Sequence, residues 1–170
     1  MPIRHCLLLS TTLLGAVGAP RLCAAEPASS PIVVAAPSHP AVTLTLNELA
    51  RLPIVQVKVA FLSEHSMHQA SFAGPLLWTV LQKAGAIDPA KPRDQVSRSV
   101  LITGRDGYRA VLALAEIAPD FEGKQVLLAE RMDDHVLAAD HLRLVVPLDK
   151  RGGRSVRDVA RIEVTEPAPR

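Results

Sequence analysis

The sequence predicts an α+β fold, a mixed and mainly β-sheet domain with few short helices. Three observations predict it. Short β-branched runs alternate apolar and polar positions, as in Val42–Leu46 and Ile54–Phe61. One segment, Pro75–Ala84, carries Leu76, Leu77, Val80, Leu81 and Ala84 at helical spacing and stops at Gly85. Helices do not recur between the strands, which excludes a doubly wound parallel sheet.

The N-terminus has the three parts of a cleaved secretory signal over residues 1–25. Arg4 and His5 give a positive start, Cys6–Ala19 an apolar run, and Cys23-Ala24-Ala25 a small-residue cleavage site. The run is about 14 residues, short for a bilayer span. A lipid on Cys23 fits Arg21 and Leu22 poorly. The signal predicts export, and a periplasmic location. Residues 26–40, rich in Ala, Pro and Ser, read as a flexible leader. Residues 41–165 read as one domain, without internal repeats.

Within that domain Val42–Leu46 reads as a strand, and Asn47–Leu52 as a helical turn stopped by Pro53. Ile54–Phe61 is a half-buried strand. Leu62–Ala70 is polar and irregular. Pro75 suits a first helical position. Ser99–Thr103 and Tyr108–Leu114 are strands around the turn Gly104-Arg105-Asp106-Gly107. Gln125–Ala129, Leu142–Val146 and Val159–Val164 complete about seven strands.

Lys and Arg number 19 and Asp and Glu 17, for a net charge of +2. Loss of Arg4 and Arg21 with the signal leaves 17 against 17. A neutral chain gives no support to nucleic-acid binding. The charge is uneven: Arg143, Lys150, Arg151, Arg154, Arg157 and Arg161 lie close together, against Asp149 and Asp158. Both cysteines, Cys6 and Cys23, fall within residues 1–25, so the remainder has neither disulfide nor thiolate.

Several side chains are candidates for binding. Asp106, at a turn, is first of all hairpin chemistry. Its carboxylate could also accept two parallel hydrogen bonds from a planar N–H/NH2 edge of the pterin or guanine kind. Lys150–Arg157 holds Gly152-Gly153, whose backbone can bend its N–H groups toward one anion, with Arg154, Ser155 and Arg157 as further donors. It reads equally well as a solvated basic loop, and it lacks the Gly-Lys-Ser/Thr ending of a P-loop. Trp78 lies off the Leu77/Val80/Leu81 stripe, either at a pocket edge or at the edge of the core. His65 and His68 stand three apart beside Glu64, but no second pair completes a metal site. There is no Gly-x-Ser-x-Gly and no nucleophilic cysteine.

Taken in order, Phe72-Ala73-Gly74-Pro75-Leu76-Leu77-Trp78, Asp106-Gly107-Tyr108-Arg109-Ala110, Leu142–Pro147 and Arg154–Val159 with Ile162-Glu163-Val164 resemble the molybdopterin-binding domain of the sulfite oxidase type. The resemblance runs from about Val42 to Val164. It implies that fold and a cleft for a pterin or molybdopterin. In the molybdenum enzymes of the family a cysteine follows the strand corresponding to Ile54–Phe61 and ligates the metal. Here Val59–His65 has none, and Asp140-His141 replaces the usual Gly-Pro.

Short exported chains without that cysteine are similar to periplasmic pterin-binding regulators. That similarity implies a free pterin as ligand and a membrane signalling enzyme of cyclic di-GMP metabolism as partner. In this reading Trp78 or Tyr108 stacks on the ring, Asp106 or Glu64, beside His65, takes its N–H/NH2 edge, and Arg154, Ser155 and Arg157 take its tail. The other readings are an oxidoreductase subunit whose molybdenum is held only by the cofactor, and a domain that serves only as an interaction partner.

Overall fold

The computed structural model describes residues 31–37, 39–62, 67–137 and 141–166. The expected signal, the start of the leader, Glu64 and His65 lie outside them. Among the described residues no helix is long and apolar enough to cross a membrane.

Among the described residues three sheets make up the fold. The largest has the order β2-β1-β11-β5-β6, where β1 is Ile32–Ala36, β2 His39–Leu44, β5 Ser99–Gly104, β6 Arg109–Ala113 and β11 Val159–Thr165. Only the β1–β11 pairing within it is parallel. A second sheet has the order β3-β4-β8-β9, with β3 Ile54–Leu62, β4 Met67–Pro75, β8 Arg131–Met132 and β9 His135–Val136. A two-stranded ribbon, β7 (Leu127–Ala129) with β10 (Arg143–Val145), lies between them.

Alternation explains this layering. In β5 and β6, Val100, Ile102, Ala110 and Leu112 are buried while their neighbours in the strand face outward. Those inner residues join Ile32, Val34, Ile162, Leu128 and Leu144 in the main core. The opposite face of the ribbon, Leu127, Ala129 and Val145, packs on Val57, Val59 and Phe72 of β3 and β4. The ribbon is thus buried on both sides. Gly74 makes the approach possible: a Cβ there would stand 2.2 Å from the Leu128 carbonyl oxygen.

The helices are short. Thr45 and Glu48 form a capping box that opens α1 (Leu46–Leu49), each side chain accepting from the other's backbone N–H. Helix α2 (Leu77–Lys83) buries Leu77, Trp78, Val80 and Leu81. Helices α3 (Pro92–Ser97) and α4 (Leu114–Ile117) carry weaker periodicity and were not predicted.

The expected leader, residues 26–40, extends too far. Ile32–Ala36 is an inner strand with Ile32 and Val34 buried, because its Ala- and Val-rich stretch has the pattern of a strand inside a sheet. In the expected irregular stretch 62–70 the described residues, Leu62 and Met67–Ala70, are all strand. Its polar Gln69 and Ser71 alternate with Ala70 and Phe72, as a one-sided strand requires. Pro75 ends β4, and Leu76 bridges Leu127 before α2 begins.

Candidate functional site

The basic loop and the β3–β4 hairpin meet at one place. A short 3-10 turn, Gly152–Arg154, follows β10. Beside it a small cavity of about 10 Å3 is lined by Asp149, Arg151, Gly152 and Ser155 of the loop, and by Val59 and Phe72 of the hairpin. That volume holds about one water. Next to it, also touching Val59, an open groove of about 430 Å3 runs along Lys58, Gln69, Ser71 and Asp133.

Arg143, at the start of β10, is the half-buried cation of this region. Its guanidinium carbon stands 5.5 Å from the centre of the Phe72 ring, and its Nε donates to Ser155 Oγ at 3.0 Å. Ser155 Oγ donates in turn to the Leu144 carbonyl at 2.9 Å. Burial lowers the Arg143 pKa first and the nearby Arg157 charge lowers it further, against an opposing effect of Asp158. Two cations share this end of the loop, so an anion placed between them would be favoured.

Arg154 has a different role. Its Nε and Nη2 reach Asp149 at 2.9 and 2.6 Å, and its Nη1 reaches Glu116 Oε2 at 3.0 Å. Lys124 extends the chain, 3.1 Å from both Glu116 and Glu122. The bond to Asp149 raises the Arg154 pKa most, and Glu116 adds to the rise. Burial pushes the Glu116 carboxyl up, but the Ala113 N–H, Arg154 and Lys124 outweigh it and leave the carboxyl below its ordinary value. The guanidinium fork expected to meet a ligand is spent on the protein, and it ties the loop to α4.

The other predicted residues are placed as follows. Ser155 lines the small cavity, and Arg157, two residues further on, is exposed. Trp78 is 8% exposed within the main core, so its ring offers no free face for stacking. Asp106 closes its own turn, accepting from the Tyr108 N–H at 2.9 Å. Tyr108 is half exposed, and its hydroxyl donates to the Gly153 carbonyl at 2.6 Å. The turn and the loop press together at Gly104, where a Cβ would lie 2.6 Å from the Arg157 carbonyl oxygen.

Sequence reasoning missed Arg151, Phe72 and Lys58 as lining residues, and Arg143 as the cation that packs on Phe72. Arg143 and Arg151 were visible in the basic cluster. Phe72 entered only as part of the family resemblance and Lys58 carried no site signal, since pairing and packing alone bring the hairpin to the loop.

No curated protein matches this chain significantly. The solved structure of the sulfane dehydrogenase SoxCD from Paracoccus pantotrophus is similar in fold, with a TM-score of 0.63 and 17% sequence identity. That likeness covers 85% of this chain and 40% of the other, so this chain spans well under half of the length it matches. The model of the oxidoreductase molybdopterin-binding domain matches residues 26–170. With the fold and the loop geometry in place, that match shows that the chain belongs to the oxidoreductase molybdopterin-binding domain family.

Proposed function

We propose that this chain is an exported, periplasmic binding or regulatory module that holds a pterin, free or as molybdopterin, beside the loop Asp149–Arg157. The observation that carries this reading is the half-buried Arg143, bonded to the cavity-lining Ser155 and close enough to Arg157 to feel its charge, in a domain whose matched region contains no cysteine. Arg143 and Arg157 supply donors for an acidic or hydroxylated tail, and Ser155, whose own hydrogen goes to the Leu144 carbonyl, holds Arg143 in place. The small cavity is too tight for a ring, so the ring lies in the adjoining groove, where Lys58, Gln69 and Asp133 offer donors and acceptors. Asp133 is the carboxylate best placed there. Its Oδ1 accepts the Ser71 N–H at 2.8 Å.

The proposed partner is the periplasmic part of a membrane signalling protein. The signal over residues 1–25 is what supports export. Titration of the purified chain with reduced pterins, followed by fluorescence, tests the reading. Saturable micromolar binding that weakens in Arg143→Met supports it, and no binding at tens of micromolar rejects it.

Membership of the molybdopterin-binding family favours a second reading, an oxidoreductase subunit. Molybdopterin would then supply metal-centred redox chemistry, with the metal held by the cofactor rather than by a protein thiolate. Metal analysis after expression with molybdate separates the two, because one firmly bound molybdenum per chain establishes the second.

A further inference from the structure

We propose that the free edge of β3 is a docking site for an extended segment of a protein partner, which pairs through main-chain hydrogen bonds and sets a carboxylate against Lys58. This inference is argued separately from the pterin reading, from the main-chain edge of β3, although Lys58 borders both grooves.

Strand β3 is nine residues long and, among the described residues, pairs only with β4. Its ladder runs from Ile54↔Pro75 to Leu62↔Met67 without a register shift, whereas β1–β2 and β11–β5 both shift. Protein edges are usually guarded by shortness, bulges, proline or several charges. Here Lys58 is the only charged residue in the strand, and the nearest proline, Pro53, precedes it.

The edge also borders a groove of about 500 Å3. Gln56, Val57 and Lys58 form one wall, and Gly123 and Leu148 belong to the other. Successive side chains of a strand point to opposite faces, so three consecutive residues can line one groove only where the main chain itself forms the wall. Leu148 stands at the groove with φ 68 and 89% exposure. That conformation is costly for leucine, and it holds an apolar side chain in water without a partner in the fold.

Charge selects the occupant. Lys124, on the far wall, is taken up by Glu116 and Glu122. Lys58 makes no ion pair among the described residues. A second copy pairing antiparallel over the whole of β3 would set Lys58 opposite Lys58, which is unfavourable. A partner strand with a carboxylate at that position, flanked by apolar residues that reach Leu148, fits instead.

The test uses the purified chain and a synthetic peptide matching β3 in length, alternating valine and threonine around a central glutamate. Amide hydrogen exchange is followed with this peptide, with its N-methylated counterpart and with a lysine-centred version. The glutamate peptide should slow exchange along β3, and the N-methylated one should not. Lys58→Glu should shift the preference toward the lysine-centred peptide by about fivefold. Unchanged β3 exchange, or equal effects of the N-methylated peptide, overturns the proposal. Protection of β3 that grows with protein concentration alone assigns the edge to a second copy, and protection without peptide at every concentration assigns it to the chain itself. Either result overturns it too.

Discussion

The hydroxyl of Tyr108 donates to the main-chain carbonyl of Gly153 at 2.6 Å, joining the Asp-Gly hairpin turn to the Gly-Gly loop. Both segments stood out in the sequence as separate candidates, and the structure makes them one unit. Tyr108→Phe removes this bond and should cost about 0.5–1.5 kcal/mol in urea unfolding. Amide exchange at Gly153–Ser155 should quicken while the main core stays protected. No change at the loop would show that the bond does not hold it.

The chain Asp149–Arg154–Glu116–Lys124 should give a distinct pH dependence. Glu116 is held below its ordinary value of 4.5, so its contribution is present above that pH and is lost as the pH falls through the folded value. Lys124 is held above 10.5, so its contribution is lost only as the pH rises through its own folded value. Arg154→Met should cost about 1–3 kcal/mol at neutral pH and flatten the acid limb. Thermal unfolding from pH 3 to pH 8 measures both effects.

Glu130 behaves in the opposite way. Burial raises its pKa, and its Oε1 is buried without a hydrogen-bond partner. The unfolded chain therefore ionises first, and stability is lost as the pH rises past 4.5 until the folded value is reached. Glu130→Gln should raise Tm at pH 7 and leave it nearly unchanged below pH 4, where both side chains are neutral.

Gly74 is the point where β4 crosses the ribbon. A methyl group there meets backbone, not a side chain that could turn away, so Gly74→Ala should destabilise by about 3 kcal/mol or more. Chemical denaturation measures it. An effect under about 1 kcal/mol would mean that the two layers can part at little cost.

Ile32 tests the placement of β1. A leader residue tolerates any substitution, whereas a side chain 1% exposed between β2 and β11 does not. Ile32→Ala should cost about 2–5 kcal/mol in the same assay.

Local pattern carried much of the fold. The alternation in β5, β6 and β11 and the Leu77/Val80/Leu81 stripe were legible because a buried face imposes its period on the sequence. Strand β4 was not legible, because one of its faces is polar and the other holds a single large residue, Phe72. The candidate site was legible only at Ser155 and Arg157. Arg154 carries the same chemistry as Arg157 in the sequence, and nothing local told that one is tied to Asp149 and Glu116 while the other is free to face solvent.

By itself the sequence determined the α+β class, the family resemblance, the basic cluster and the lack of cysteine after residue 25, since all of these are properties of residue type and order. Only the tertiary structure decided that residues 32–36 are an inner strand, that Trp78 is core, and that Arg143 rests on Phe72 beside Ser155. The physical reason is the same in each case. Burial and ion pairing are set by residues far away in the chain, which the layers bring together and local pattern does not record.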